Sequence, residues 1–429
     1  MTRFGTMWRR GFVLAASLAL LASVAPAATF AQDEGGSVDI LTYFSVDLGE
    51  KALASIVEEF TAETGIAVNI GEIDHENYKT AILVQLAGGN PPDALTDWAG
   101  ARAAFKVKNG ALMPIDDMWA ESGLDAEFPA GMVAAASTYE GAKYTVPVGY
   151  HYAGMFYNPK VLEAAGVAIP ATWDELLAAC GTLQEQGIVP ISLGSMNRWP
   201  AQFWFDYLLL RTAGPDYRAT LMAGEAAYTD PEVVNAMTLW QEAAGAGCFT
   251  PDANAYDWTD AADQLYKGEA AMNLMGTWIT GYLDGLGAVA GEDYDFFEFP
   301  TFDPAVPNAV VGPVDTFAVA AAAKNPDGAK QLLAFLSRPE VQTEWAIGQG
   351  ALPPNVNADT SALNGVLQKA LGVVAASPSF NFNYDLATPP APSEVGLDMF
   401  AKFMSDPAQD VAALLAETET AVKAAFEQQ

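Results

Sequence analysis

Residues 38–70 read VDILTYFSVDLGEKALASIVEEFTAETGIAVNI, and this stretch decides the fold class. Val38–Leu41 and Ile66–Ile70 are short apolar runs typical of buried strands. Between them, four apolar residues recur at the i, i+3, i+4, i+7 spacing of one helix face: Leu53, Ile56, Val57 and Phe60. Gly65 follows in the position where glycine ends many helices. The stretch therefore predicts strand–helix–strand, the opening unit of an α/β sheet.

The same alternation continues along the chain. Thr172-Trp173-Asp174-Glu175 has the pattern of a capping box and predicts a helix that runs to Gly187. Apolar runs predict further strands at Lys143–Val148, Ile188–Ser192, Ala270–Leu274 and Thr316–Ala322. Helical patterns lie at Tyr78–Ala87, Pro231–Ala244, Thr259–Tyr266 and Val411–Phe426. Since no low-complexity linker interrupts this order, ordinary strands would have to join any two domains.

The length and composition limit what the chain can be. At roughly 100–200 residues per domain, 429 residues suggest about two domains. The 53 acids against 20 bases give a formal charge of −33, although only 17% of residues are charged and 51% are hydrophobic. A disordered acidic chain is excluded, because 10 Trp, 15 Tyr and 22 Phe need burial. Nucleic acid and anionic membrane surfaces are unsuitable partners, because both are bound by clustered Lys and Arg.

The N-terminus has the pattern of a secretory signal peptide, residues 1–31. Arg3, Arg9 and Arg10 precede an apolar run from Phe12 to Ala25, and small residues follow up to Ala31, where we predict cleavage. The run is too short to span a membrane, which takes roughly 20 apolar residues. No cysteine follows it, so we expect neither a lipid anchor nor direct membrane insertion. Adjacent arginines leave the twin-arginine and the general export routes both open. The mature chain, with three fewer bases, would carry −36 and would be periplasmic.

The two cysteines of the chain are Cys180 and Cys248. In an oxidising compartment they could form a disulfide. Two buried small apolar residues are the alternative. The sequence leaves this choice open.

No catalytic motif emerges from the sequence. The two histidines, His75 and His151, are not spaced for a zinc site, and neither a nucleophile elbow nor a phosphate loop is found. The glycines of residues 285–291 miss the dinucleotide-loop spacing by one residue and predict a turn. Residues 252–257 lack the glycine of a calcium loop. No motif therefore predicts an enzyme, a metal site or a cofactor, although 53 acids make some carboxylate pairing inevitable.

The remaining chemical signal is aromatic. Six rings fall at predicted strand ends or in turns, next to polar residues: Tyr43, Phe44, Trp98, Trp199, Trp258 and Trp278. The C–H faces of a sugar stack on such rings while neighbouring polar groups bind its hydroxyls. Core packing is the alternative for any single tryptophan. The set as a whole favours sugar binding.

Four stretches, in order, carry a family resemblance. They are LAGGNPPDA at residues 86–94, the run from VPVG to TWDEL at 146–176, YKGEAAM…GTW at 266–278, and DTFAV…GQGALP at 315–353. Together they resemble the extracellular solute-binding proteins of ABC importers, in the carbohydrate branch that includes maltose-binding protein. The resemblance covers nearly the whole mature chain.

This resemblance implies an α/β fold of two lobes joined by crossing strands, with the ligand in the cleft between them. Lobe one would comprise residues 32–148 plus 311–355, and lobe two residues 149–310 plus 356–429. Crossings near Val148–Tyr152, Val310–Val314 and Pro353–Ala358 would form the hinge. The implied function is high-affinity periplasmic binding of a mono- or small oligosaccharide by a monomer. The membrane subunits of an ABC importer would recognise its closed form.

The resemblance also places the ligand-binding residues. Lobe one would contribute Phe44, Glu50, His75, Trp98 and Asp315, and lobe two Trp199, Trp258 and Trp278. Tyr43-Phe44 stands where many relatives carry Trp, so either ring could be the one that stacks. Each polar assignment has an alternative: a first-turn helix charge for Glu50, a surface loop for His75 and a turn cap for Asp315. Lys79 ranks lower, with the solvent face of its helix as the alternative.

Two other functions remain open at this point. One is a binding protein for a polyamine, a polyol or glycerol 3-phosphate. The other is an extracellular carbohydrate-active enzyme, which would need two placed carboxylates. The scarcity of bases favours a neutral or cationic solute over an anionic one.

Overall fold

The computed structural model describes residues 36–44, 47–303, 305–306 and 308–428, without the side chains of residues 47 and 48. The predicted signal peptide lies outside these residues. The strands are β1 (Val38–Thr42), β2 (Val68–Glu72), β3 (Ala94–Trp98), β4 (Thr138–Tyr139), β5 (Ala142–Lys143), β6 (Thr145–Tyr150), β7 (Ala153–Tyr157), β8 (Val189–Ser192), β9 (Ala270–Gly276), β10 (Asp295–Phe297), β11 (Val310–Val311), β12 (Val314–Val319) and β13 (Phe380–Asn381).

The α-helices alternate with single strands from β1 to β3, as the sequence predicts for this stretch, and later helices and strands often occur in groups. They are α1 (Asp47–Thr64), α2 (His75–Ala87), α3 (Ala101–Lys108), α4 (Asp116–Ser122), α5 (Ala130–Met132), α6 (Pro159–Ala165), α7 (Trp173–Glu185), α8 (Trp199–Met222), α9 (Pro231–Gly245), α10 (Trp258–Tyr266), α11 (Trp278–Gly285), α12 (Pro326–Leu336), α13 (Pro339–Gln349), α14 (Gly365–Ala376), α15 (Tyr384–Ala387), α16 (Pro390–Ser405) and α17 (Val411–Phe426). Short 3₁₀ or π turns lie at residues 124–126, 133–137, 253–255 and 360–362.

The first sheet has the strand order β2-β1-β3-β12-β6. Strand β1 runs parallel to β2 and β3, whereas β12 runs antiparallel to β3 and β6. The opening strand–helix–strand unit is confirmed, with Ile56 and Phe60 of α1 fully buried against this sheet's core. Strand β2 begins two residues later than the apolar run at Ile66–Ile70 suggests.

The second sheet has the strand order β10-β7-β9-β8 and its own apolar core. Strands β8 and β9 are parallel, and the other pairs are antiparallel. Helix α7 packs beside β8, and its capping box forms as the sequence predicts. Cys180 in α7 and Cys248 form a disulfide with their Cα atoms 5.2 Å apart, which settles the pairing that the sequence left open.

Three segments lie side by side where the chain passes between the two sheets. Strand β6 ends at Tyr150, and only His151 and Tyr152 separate it from β7. The amide of His151 donates to the carbonyl of Pro313, which lies between β11 and β12, at 3.0 Å. Tyr150 and Leu352 exchange both backbone hydrogen bonds, at 3.0 and 2.8 Å. The chain thus has an α/β architecture with two main sheets, two small two-stranded sheets and strand crossings, while the lobe limits given above stay a prediction.

Within the described part of the chain, no helix combines the length and the apolar composition that crossing a membrane requires.

Candidate functional site

A cavity of about 630 Å³ is lined by residues in and beside the first sheet and by residues of loops and helices that adjoin the second sheet. It contains eight of the nine ligand-binding residues that the sequence analysis selects, all except Glu50: Tyr43, Phe44, His75, Trp98, Trp199, Trp258, Trp278 and Asp315. Most of these residues directly follow a strand or begin a helix. The strand ends of the two sheets therefore bring together residues that are far apart in sequence.

The wall on the first sheet is an aromatic stack. Tyr43 follows β1 and Trp98 ends the neighbouring parallel strand β3, so the two residues meet at one edge of the sheet. Their rings are stacked with centroids 4.2 Å apart and an interplanar angle of 14°. His75 packs edge-on against Trp98 at 5.1 Å, and Phe44 packs edge-on against Trp345 at 4.5 Å. Tyr43 and Phe44 both line the cavity.

The wall on the second sheet is formed by helix starts. Trp199 begins α8 and Trp278 begins α11, and their ring centroids are 5.8 Å apart. Trp258 begins α10 and packs against Tyr282 at 5.4 Å. Tilted ring pairs of this kind stabilise each other, and all three tryptophans line the cavity. Trp199 also approaches His75 to 5.7 Å, so the two walls are in contact.

Asp315 lies at the centre of a buried hydrogen-bond network. Tyr43 Oη donates to Asp315 Oδ1 at 2.6 Å, and His151 Nε2 lies 3.0 Å from Asp315 Oδ2. Burial, and then the charge of Asp315, raise the pKa of the Tyr43 hydroxyl well above its ordinary value, so this hydroxyl keeps its proton. Asp315 belongs to β12 and caps no turn, which rejects the alternative role considered for it. A carboxylate accepts about four hydrogen bonds, so Asp315 has capacity left for a ligand.

A charged cluster forms the rim at the start of α2. Asp74 caps this helix, accepting from the amide of Asn77 at 3.1 Å. Glu76 accepts from Lys79 Nζ at 3.0 Å and lies 2.7 Å from His75 Nδ1. Burial opposes the charge of Glu76, but the bond to His75 and the charge of Lys79 lower its pKa to about 2. Glu76 is therefore an anion at neutral pH.

The structure corrects two alternatives for residues of this rim. His75 is the first residue of α2 and lines the cavity, so it is not a surface-loop residue. Lys79 lines the cavity with its side chain only 15% exposed, and so it does not face solvent.

Glu50 does not reach the cavity. It is exposed in the first turn of α1, where burial and the nearby charge of Glu50 raise the pKa of Glu72. Its position fits the alternative of an acid placed against the positive end of the helix dipole. The prediction that Glu50 lines the cavity is wrong because the resemblance concerns only its place in the sequence, whereas helix α1 directs its side chain towards solvent.

Several polar lining residues were missed by the sequence analysis. Arg102 Nη2 lies 3.2 Å from Asp385 Oδ2, and Asn383 donates to the other oxygen of Asp385 at 2.6 Å. Gln202 accepts from the amide of Asp385 at 2.9 Å. Asn383 and Asp385 belong to residues 381–392, where the resemblance carries no aligned motif. His151 lies between VPVG at residues 146–149 and the following strand β7. Its position next to that motif could have identified it as a candidate site residue.

The charge of the lining is negative. Five carboxylates face two cationic side chains: Asp74, Glu76, Asp257, Asp315 and Asp385 against Lys79 and Arg102. In the residues that the structure describes, no group of three or more His, Cys, Asp or Glu side chains is arranged to hold a metal ion. The site is therefore suited to a neutral or cationic solute that presents hydroxyls.

Comparisons with known proteins agree with this architecture. The family described as bacterial extracellular solute-binding protein matches residues 46–343. An uncharacterized ABC transporter extracellular-binding protein of Pyrococcus horikoshii is 31% identical over 285 residues, 66% of this chain and 62% of that protein. The match thus spans less than two thirds of the Pyrococcus protein.

Two further comparisons cover more of the chain. A probable sugar-binding periplasmic protein of Brucella suis is 25% identical over 375 residues, 84% of each chain. The solved structure of the bacterial solute receptor AcbH, described as having an exclusive preference for β-D-galactopyranose, matches with a TM-score of 0.86 and 26% identity. That match covers 91% of this chain and 100% of the receptor.

Proposed function

Because the chain belongs to the family of bacterial extracellular solute-binding proteins, we propose that it binds a sugar in its cavity and delivers it to an ABC importer. The ligand would be a mono- or small oligosaccharide. The Brucella relative is named as sugar-binding and the AcbH structure is described with a galactopyranose preference, and both support this ligand class.

The observation that carries the proposal is the pair of aromatic walls, one on each sheet. Tyr43 and Trp98 form one wall, and Trp199 and Trp278 form the other. The apolar faces of a pyranose match the ring faces, and its hydroxyls match the acceptor oxygens of Asp315 and its neighbours. A ligand of this kind would contact both walls at once.

Contacts with both sheets give a mechanism for delivery. A ligand that binds residues of both lobes stabilises the closed form relative to the open one. The three adjacent crossing segments would be the hinge, with the lobe limits given in the sequence analysis. The membrane subunits of the importer would bind the closed monomer in the periplasm, after signal cleavage near Ala31. Binding and release suffice for this role, so we assign no catalytic residue and no cofactor.

A thermal-shift screen tests the proposal directly. The probes are D-galactose, maltose, raffinose, glycerol, spermidine and glycerol 3-phosphate. A solute that binds only the folded state raises the Tm, by an amount that grows with its concentration relative to Kd. We expect at least one sugar to raise it. A shift with spermidine alone, or product formed from a glycoside, would overturn the proposal in favour of a polyamine-binding protein or an enzyme.

A pair of variants then places the ligand in the cavity. Trp278→Ala removes one wall and should abolish the sugar-induced shift with little change in the Tm of the free protein. Phe105→Ala is the matched control, since this ring is 39% exposed on α3 and does not line the cavity. The control should keep the full shift. An unchanged response in Trp278→Ala would remove this residue from the site.

A further inference from the structure

His151 makes more contacts within the site than its place in the sequence suggests. It lies in the two-residue link between β6 and β7 and is only 1% exposed. Its Nε2 lies 3.0 Å from Asp315 Oδ2, and its Nδ1 lies 3.0 Å from Thr277 Oγ1. Its ring packs edge-on against Trp278, with centroids 5.2 Å apart. One side chain thus contacts the acid of the first sheet and the helix start that follows the second.

We propose that His151 is a positioning residue, which donates its Nε2–H to Asp315, is held by Thr277 at Nδ1, and thereby fixes the carboxylate relative to the Trp278 ring. This inference rests on the proposed function, because in it His151 fixes the distance between Asp315 and Trp278, two groups that a bound sugar would contact together. His151 would act through Asp315 and Trp278, the two groups to which we assign the contacts with the sugar.

The hydrogen-bond partners fix which ring nitrogen carries the proton. An ionised carboxylate only accepts hydrogen bonds, so the atom facing Asp315 Oδ2 must be a donor. Tyr43 keeps its proton and already donates to the other oxygen. His151 Nε2 is therefore protonated. The hydroxyl of Thr277 can either donate or accept, and so it satisfies Nδ1 whether or not that nitrogen is protonated.

The backbone leaves this ring little freedom. The amide of His151 donates to the Pro313 carbonyl at 3.0 Å, two residues before Asp315. A Cβ atom at Gly312 would lie 1.6 Å from the His151 carbonyl oxygen, so the crossing segments touch at a position that only glycine permits. Thr277 is fully buried and directly precedes Trp278. A change at either end of the His151 bridge is thus transmitted to the other wall of the cavity.

Nitrogen NMR of the full chain tests the proton assignment without any ligand. The chain has two histidines, His75 and His151, so ¹⁵N-histidine labelling gives two ring systems, and a His75→Gln variant assigns them. We expect the His151 ring to carry a proton fixed on Nε2. An Nδ1–H tautomer, or rapid averaging of the two tautomers, would overturn the proposal. This result stands whether or not a sugar binds, and so it separates the inference from the proposed function.

A matched pair of variants tests the positioning. Thr277→Val removes the hydroxyl at nearly constant shape, whereas Thr277→Ser keeps it. We expect Thr277→Val to weaken D-galactose or raffinose binding about 3- to 10-fold, as for one lost hydrogen bond, and Thr277→Ser to restore it to within about twofold. In Thr277→Val the Nδ1 signal of His151 should also shift, because that nitrogen loses its hydrogen-bond partner, while Nε2 keeps the proton that it donates to Asp315. Equal affinity in the two variants, or a Val variant with unchanged nitrogen signals, would show that Thr277 does not hold the ring.

Discussion

Replacing Gly276 by alanine would displace a wall of the cavity by adding one methyl group. Gly276 ends β9, and a Cβ atom there would lie 1.9 Å from Cζ3 of Trp278 and 2.3 Å from its Cε3 and Cη2. Ordinary contact begins at 3.4 Å, so the ring has to retreat by about 1.5 Å. His151 packs on its edge and Trp199 lies beside it, which leaves the cavity as the space into which the ring can move.

The expected cost follows from this displacement. Overpacking a well-packed site costs about 1–3 kcal/mol, and a displaced stacking ring loses contact with the sugar on a similar scale. At about 1.4 kcal/mol per tenfold change, we expect the Kd of the sugar to rise about 10- to 100-fold. The protein should remain folded, because the free energy of unfolding of a domain is about 5–15 kcal/mol.

Calorimetric titration with the best sugar of the screen, combined with urea unfolding, measures both effects. Gly181→Ala is the matched control, since its added Cβ meets nothing within 4 Å. In a Trp278→Ala background the ring is absent, and Gly276→Ala should then cost almost no stability. A Kd within twofold of the parent, or an undiminished loss of stability in the Trp278→Ala background, would refute the steric argument.

Three further predictions concern the disulfide, the rim and the exposed acid on α1. Replacing both Cys180 and Cys248 by alanine removes a crosslink that spans 68 residues and should lower the free energy of unfolding by about 2–4 kcal/mol. Urea unfolding measures this loss, and sugar affinity should not change. An unaltered unfolding midpoint would contradict the prediction. Glu76→Gln should lower the free energy of unfolding at pH 7. Because the pKa of Glu76 is lowered from 4.5 to about 2, the difference in this free energy between variant and parent should shrink as the pH falls from 4.5 towards 2. A difference that does not vary with pH in that interval would rule out the ion cluster of Glu76 as its source. Glu50→Gln should leave the Kd of the sugar unchanged within twofold. A larger change would show that Glu50 takes part in binding after all.

The elements that sequence reasoning predicted are those specified by local physics. The helix after Thr172 forms with both hydrogen bonds of its capping box, and α1 ends at Thr64, just before Gly65. In each case the start or stop signal acts within a few residues, and one buried face sets the periodicity. Such signals depend little on the rest of the chain.

Helix α8 was missed for a physical reason. Residues 199–211 of this helix are buried on all sides, so no polar face marks a helical period. Gly214 and Pro215 then interrupt the sequence pattern, and Gly214 has a non-helical φ of 82° inside the element. A helix that is buried all round and broken in its middle resembles a run of strands when only the sequence is available.

The aromatic lining of the cavity could be predicted, whereas most of its polar lining could not. Trp98 and Trp278 stand at strand or helix ends, where ring exposure is expected from position alone. Arg102 and Asp385 are 283 residues apart, and only the folded chain brings them together. Because a charged side chain is most often solvated, nothing in the sequence pattern singles out these two residues.

The carboxylates of the cavity also bear on the choice between a sugar and a polyamine. Three of them are already neutralised or held by protein partners: Glu76 by Lys79, Asp385 by Arg102, and Asp315 by a hydrogen bond from Tyr43. A polyamine gains most from carboxylates whose charge is unbalanced, since each of its ammonium groups must recover the hydration it loses on burial. A carboxylate that already has a protein partner can still accept hydrogen bonds at its remaining lone pairs. The hydroxyls of a neutral sugar need such acceptors. The negative formal charge of the lining is therefore compatible with a neutral ligand, and the aromatic walls support the proposal of a sugar over a polyamine.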